Sequence, residues 1–377
     1  MENKIPSCKN FTGYKPCYED HNCWQDGCKD NIPIGTKILI INLDAMGDVL
    51  MTTAQLPLLK MKFPESTIYW ITLKIASPLL FNNPMIDKVY DYNDESLSIL
   101  QNIKFDYALN VDKSQRSCSI LNLVQAKHKF GFGLNEDGKI IPMNKGSYYN
   151  YNLGMDNNLK FRVNKKTGQE YLAETFELIY KKKEYIFEFT KDEKKFIADY
   201  KKEIGFTNKD FVVGFNTGCS NLYPNKKMTV KQHQLLIKNI LKKTRSKIIL
   251  LGGPEDVERN KKIYSKFKGK IINTPANLGV RKGACFESLA DIIITGDSFG
   301  MHLGIALKKY IIVWFGVSCW NEIELYDRGE KLYNENLACS PCWKKECPYN
   351  LECIENIDLD KIVNLVTTYF EMNKKSK

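Results

Sequence analysis

Histidine is scarce here, four in 377 residues, and neither cysteine set carries the pair of histidines that a C2H2-type nucleic-acid reader spends on each zinc. No uninterrupted apolar stretch approaches the roughly 20 residues that span a bilayer. The N-terminus lacks the basic start, apolar run and small-residue cleavage site of a secretory signal. The expectation is a cytoplasmic protein, in which twelve cysteines act as thiols or metal ligands rather than as a disulfide framework. Fixed-period repeats are absent too, which excludes a solenoid or propeller.

What is present favours two α/β halves. A chain of this length, 43% hydrophobic and 12% aromatic, can bury two ordinary cores. Basic residues outnumber acidic ones, 55 to 44, for a formal charge of +11. That excess attracts an anionic partner such as a phosphorylated sugar, a membrane surface or nucleic acid. Much of it is scattered lysine, as at 181–183 and 242–243, which reads as solvated surface.

Residues 1–35 carry four cysteines and no apolar period, and read as a loop-rich, cysteine-rich module needing a staple. From residue 36 the run Lys37-Ile38-Leu39-Ile40-Ile41 has the continuous apolar character of a buried parallel strand. A polar turn with Gly47 and Asp48 follows, then a helical stretch to about Phe63 that Pro57 should kink or restart. Further strands are expected at 67–73, 88–91 and 107–111. Residues 132–166, rich in Gly, Asn and Tyr, read as loops near a cleft. Helices are expected at about 169–180 and 191–202, and a second strand-helix alternation begins at 211–215. It continues through a helix at 230–243 and strands at 247–251, 291–295 and 310–315. The expected domains are 1–35, 36–205 and 206–377.

Parallel α/β sheets bind ligands beyond the carboxyl ends of their strands, and three loops fall there. In 44–48, Gly47 permits a tight turn and Asp48 heads the next helix, as an N-cap or as a catalytic carboxylate. In 216–227, Asn216, Thr217, Gly218 and Ser220 with Lys226 and Lys227 can bring donors to phosphate oxygens, although no lysine directly follows the glycine as a Walker loop requires. The third holds Gly296, Asp297, Ser298, Phe299, Gly300, Met301 and His302, ahead of a helix expected to start near Met301. Its amides and dipole suit a pyrophosphate.

Taken in order, Ile38 to Val49, Gly214 to Ser220 with Lys226-Lys227, Leu250-Leu251-Gly252-Gly253-Pro254, and Gly296-Asp297-Ser298 with Met301-His302 resemble the family 9 glycosyltransferases, the heptosyltransferases of lipopolysaccharide assembly. The resemblance implies a GT-B fold of two Rossmann-like domains facing each other across a cleft, with 36–205 binding the acceptor and 206–377 the nucleotide-sugar. It also implies an ADP-heptose or similar nucleotide-sugar donor and inverting transfer without a catalytic metal. Asp48 matches the family's base. Lys226 matches its phosphate-contacting lysine, while Gly252, Gly253, Asp297, Ser298, Gly300, Met301 and His302 fall in its donor-site motifs. The implied acceptor is an anionic surface glycan, a lipid-linked core at the inner face of the membrane, or a protein. Phe299 stands where the family has glycine, and Met228-Thr229 where it has an aromatic and proline. Residues 322–329 resemble a branch that also carries the N-terminal cysteine module.

Cys339, Cys342, Cys347 and Cys353 have a two-residue knuckle spacing followed by two more thiols, a set that can surround structural zinc or iron. Cys8, Cys17, Cys23 and Cys28 are spaced more loosely. Four cysteines leave no open position for substrate. Cys118, Cys219, Cys285 and Cys319 read as small buried hydrophobes. The alternative from another class is a non-catalytic, cysteine-stapled module that binds nucleic acid or protein; the cysteine sets flank the α/β body without a basic reading helix, which counts against nucleic acid.

Overall fold

The structure, a computed structural model, describes residues 5–17, 23, 28 and 30–375, so the expected module 1–35 lies partly outside the described residues. The chain forms two compact units. One comprises Met1–Asp44, Ala54–Asn152 and Glu170–Lys183, the other Ala45–Thr53, Leu153–Gln169 and Glu184–Lys377. Each is built on one six-stranded sheet with helices packed on it, the α/β fold expected.

In the first unit the strands are β1 (Thr36–Ile41), β2 (Ser66–Thr72), β3 (Lys88–Asp91), β4 (Lys104–Asn110), β5 (Gln125–Leu134) and β6 (Ile140–Pro142), in the order β3-β2-β1-β4-β5-β6. All neighbours are parallel except β5 and β6. Leu39 of β1 lies beside Tyr69 on one side and Ala108 on the other. Residues Ile38 to Ile41 are fully buried, which is why that strand reads as a continuous rather than an alternating apolar run.

The second unit repeats the plan with β7 (Val212–Asn216), β8 (Lys247–Leu251), β9 (Ile272–Asn273), β10 (Ile292–Gly296), β11 (Tyr310–Trp314) and β12 (Gly329–Leu332), all parallel and ordered β12-β11-β10-β7-β8-β9. Read from the other edge, this is the same arrangement of first to sixth strand as in the first unit. Val213, Phe215, Ile248, Leu250, Ile292 and Ile294 pack with Leu236, Ile237 and Ile240 of the helix Val230–Lys243, and with Ile362, Val363 and Val366 of the helix Leu359–Lys375. Burying each such aliphatic side chain contributes about 1.5–3 kcal/mol. The helix Val230–Lys243 starts where Thr229 accepts from the Gln232 amide (3.1 Å) and the Gln232 side chain accepts from the Thr229 amide (2.7 Å), closing a capping box.

Pro57 restarts the helical stretch rather than kinking it: the helix Met46–Thr52 gives way to a 3-10 turn, Thr53–Gln55, and Pro57 then opens the helix Leu56–Lys62, where its missing N–H is no loss. Residues 132–166 are not simply loops. They contain the end of β5, all of β6, the helix Ser147–Met155 and a π-helical turn Leu159–Val163. Tyr151 donates to the Ile140 carbonyl (3.1 Å), a tertiary bond that a composition rich in Asn and Tyr does not announce. The helix expected over 169–180 ends early, at Thr175. Among the described residues no helix is long and apolar enough to cross a membrane.

Candidate functional site

In both sheets the direction of strand order reverses beside the first strand, at β1/β4 and at β7/β10, and ligands of such sheets bind at the carboxyl ends there. In the second unit those ends are Asn216, the last residue of β7, and Asp297-Ser298 after β10. The short helix Met46–Thr52 belongs to this same compact unit and packs against the helix Phe299–Ala306.

Asp48 is the third residue of its helix and its carboxylate accepts from the Ala45 amide (3.2 Å), so it completes the N-terminal cap without being the N-cap residue. It is half-buried. Burial pushes its pKa above the usual carboxylate value, against the pull of His302, the Ala45 amide and Lys226, while Asp297 adds to the rise. Gly47 serves close approach rather than the tight turn expected of it. A Cβ there would come within 2.5 Å of the His302 ring, so only glycine lets the two helices place Asp48 beside that histidine.

His302 is 8% exposed. Its Nδ1 lies 3.4 Å from the Tyr185 hydroxyl, and the two rings stack with centroids 6.0 Å apart. Burial lowers its pKa in spite of Asp297 and Asp48. Tyr185, buried and raised well above its ordinary pKa by that burial, was not foreseen; it sits in an irregular, lysine-rich segment that carries no motif.

Lys226 and Asp297 form a 2.6 Å ion pair whose side chains are each 13% exposed. Burial alone would raise the Asp297 pKa, but Lys226 and His302 outweigh it and hold the carboxyl below its usual range. The Trp314 indole N–H donates to the Lys226 carbonyl (2.9 Å), fixing the lysine's turn to the end of β11. Asn216 donates to Ser298 Oγ (2.8 Å) and Thr295 Oγ1 (3.1 Å). Its amide lies so close above Gly300 that a Cβ there would meet it at 2.2 Å.

The helix after β10 begins at Phe299, with Ser298 as N-cap, not near Met301. Gly300 is therefore helical, and Phe299 occupies the first turn without lengthening the loop. The Met301 and His302 amides are committed to the Ser298 carbonyl (3.0 and 3.4 Å), and the Met301 side chain is fully buried. The amides at the helix start belong to Phe299 and Gly300.

Gly218, Gly252 and Gly253 gather around one side chain the sequence did not single out, Asp256. It accepts from the Gly253 amide (3.0 Å) and leaves no space for a Cβ on Gly218. Burial raises its pKa. Thr217 is buried and bonds to Asn260 (2.5 Å), so it supports the loop. Ser220 is exposed and accepts from the Leu222 amide (3.2 Å).

Of the isolated cysteines, Cys118, Cys285 and Cys319 are buried as expected, but Cys219 is only half-buried, with its thiol directed to the Tyr223 carbonyl (3.2 Å). Cys8, Cys17, Cys23 and Cys28 line one small enclosure together with Asp30. Cys339, Cys342 and Cys347 lie near enough to Cys353 to add to the effect of burial, which lifts that thiol to about 11. Among the described residues no group of three His, Cys, Asp or Glu side chains could hold a metal ion as it stands.

Residues 98–352 match the sequence profile of glycosyltransferase family 9 (heptosyltransferase). The chain is 24% identical to lipopolysaccharide heptosyltransferase 1 of Campylobacter coli, over 89% of its own length and 99% of that protein's. The family 9 glycosyl transferase of Veillonella parvula superposes with a TM-score of 0.69 at 17% identity, covering 89% of this chain and 97% of that one. The E. coli ADP-heptose lps heptosyltransferase II gives 0.66 at 16%, covering 89% and 100%. These structural likenesses establish the shared GT-B fold.

Proposed function

The chain belongs to glycosyltransferase family 9 and is a glycosyltransferase, and from that premise we propose that it transfers heptose or a related sugar from an ADP-sugar to an anionic surface glycan, such as a lipopolysaccharide core. The observation that carries this reading is the convergence of Asp48, His302, Asp297 and Lys226 on one partly buried cluster, at the strand ends where a donor would lie.

In this reading Asp48 takes the proton of the acceptor hydroxyl as its oxygen attacks the anomeric carbon. The bond from that carbon to the diphosphate breaks on the opposite face, so the configuration inverts. Negative charge grows on the departing diphosphate, and Lys226 with the amides of Phe299 and Gly300 stabilises it in place. Lys226 exchanges its Asp297 partner for the phosphate oxygens. His302, backed by Tyr185, holds the acceptor side of Asp48. Asn216, Ser298 and the Gly218, Gly252 and Gly253 turns around Asp256 shape the donor pocket. This reading calls on no catalytic metal, because the lysine and the helix amides supply the positive charge.

Membership of an enzyme family sets aside the non-catalytic module. The cysteine sets belong to the proposal only as structural sites for zinc or iron, which require the thiols to close up on the ion; metal analysis of the purified protein decides between bound ion and free thiols. A lipid-linked acceptor places the enzyme at the inner face of the membrane. The experiment is thermal melting with ADP-heptose followed by a transfer assay. A donor that binds only the folded state raises the midpoint, and the absence of both a shift and sugar transfer would reject the reading.

A further inference from the structure

Lys226 has a third neighbour besides Asp297 and Trp314. Its ammonium lies 4.7 Å from the centroid of the Trp343 ring and 5.7 Å from that of Tyr223, and the two rings meet edge to face at 5.2 Å. Lys160 approaches the same indole at 5.0 Å. Trp343 stands in the cysteine loop between Cys342 and Cys347, far in sequence from Lys226.

Several bonds hold the ring there. The amides of Cys342 and Trp343 both donate to the Val317 carbonyl (3.0 and 2.9 Å), and Asn225, next to Lys226, donates to the Lys345 carbonyl (2.8 Å). Trp343 itself has φ +51°, a left-handed conformation that a bulky residue adopts only when its surroundings impose it. The loop is thus tied at one end to the segment following β11 and at the other to the lysine's own turn.

An aromatic face attracts an ammonium without neutralising it or taking its proton. A second carboxylate in that place would compete with the phosphate for Lys226, whereas an indole leaves the charge available and shuts water from one side of it. We propose that Trp343 is a positioning residue for Lys226: its ring holds the ammonium at the donor phosphates while the lysine changes partner from Asp297 to the diphosphate, so the cysteine loop sets the rate of transfer through this contact. The inference rests on the reading of Lys226 as the group that stabilises the leaving diphosphate.

The test is a double-mutant cycle on kcat with ADP-heptose as donor, using Trp343→Leu, Lys226→Met and both together, alongside Trp343→Phe and Trp343→Tyr. Positioning predicts that Trp343→Leu lowers kcat by about tenfold, roughly 1.4 kcal/mol, with little change in KM, and costs nothing further once Lys226 is methionine. It also predicts activity in the order Trp, Tyr, Phe, following the strength of the cation contact, which keeps the test open should the leucine variant fail to fold. Equal losses from Trp343→Leu in both backgrounds, or equal activity of all three aromatics, overturn the proposal. If Lys226→Met alone leaves kcat unchanged, the reading of the lysine fails instead.

Discussion

The two sheets have the same strand order, yet they place different chemistry at corresponding points. In the first unit the ends of β1 and β4 are tied to each other: Asp112, after β4, accepts from the Asn42 side chain (2.7 Å) and the Leu43 amide (2.5 Å), and Arg116 pairs with Asp44 (2.6 Å). In the second unit the ends of β7 and β10 gather Asn216, Lys226, Asp297 and the start of a helix, whose amides have no carbonyl partner ahead of them. The common topology fixes where a ligand can lie. The loops decide which charged and polar groups stand there.

That contrast can be broken from its charged side first. Lys226→Met should lower kcat by about 100- to 1,000-fold, the scale of removing one preorganised stabiliser of developing charge, and should lift the Asp297 pKa, whereas Arg116→Met in the first unit should change kcat little. Steady-state kinetics on the two variants measures the difference. Next comes steric closure. Gly300→Ala drives a methyl group into the Asn216 amide, and the strain costs about 1–3 kcal/mol of stability; donor affinity and melting temperature should fall together.

The acid limb of the rate profile sharpens the comparison further. If Asp48 is the proposed base, its pKa, raised by burial, sets where its ionised form is lost as pH falls. The acid limb of kcat/KM should therefore lie above the ordinary carboxylate range near 4, and it should move when His302 is replaced by glutamine. A last effect concerns the fold. Burial and the neighbouring Arg259 hold His233 down to about 4. An imidazole whose folded pKa is depressed costs nothing above its unfolded value near 6.5, and destabilises as pH falls from there toward 4, by up to about 3 kcal/mol. Urea melts of wild type and His233→Gln across that window should converge at neutral pH and separate in acid.

Much of this was legible in the sequence because strands covered on both faces announce themselves. Residues 37–41, 211–215 and 291–295 could hardly be anything but parallel strands, and the loops that end them carry Asp48, Asn216 and Asp297. Tyr185 and Asp256 were not legible, since neither lies in a motif and each acts only through a tertiary contact, with the His302 ring and with the glycine turns. Gly47 was found for the wrong reason: its sequence context suggests a turn, while the need for glycine comes from a helix contributed some 250 residues later. The start of the helix Phe299–Ala306 was misjudged by two residues because Ser298, a good N-cap, was read as part of a longer phosphate loop. That shift matters chemically, because it moves the available amides from Met301 to Phe299 and Gly300.

The central claim is that Asp48 is the base of a sugar transfer. Sugar transfer from ADP-heptose by wild type and Asp48→Asn, measured beside ADP affinity for both, tests it most directly. The account predicts ADP binding within about twofold and transfer slowed by about 100- to 10,000-fold, the range of general-base catalysis. Full turnover by Asp48→Asn would contradict it.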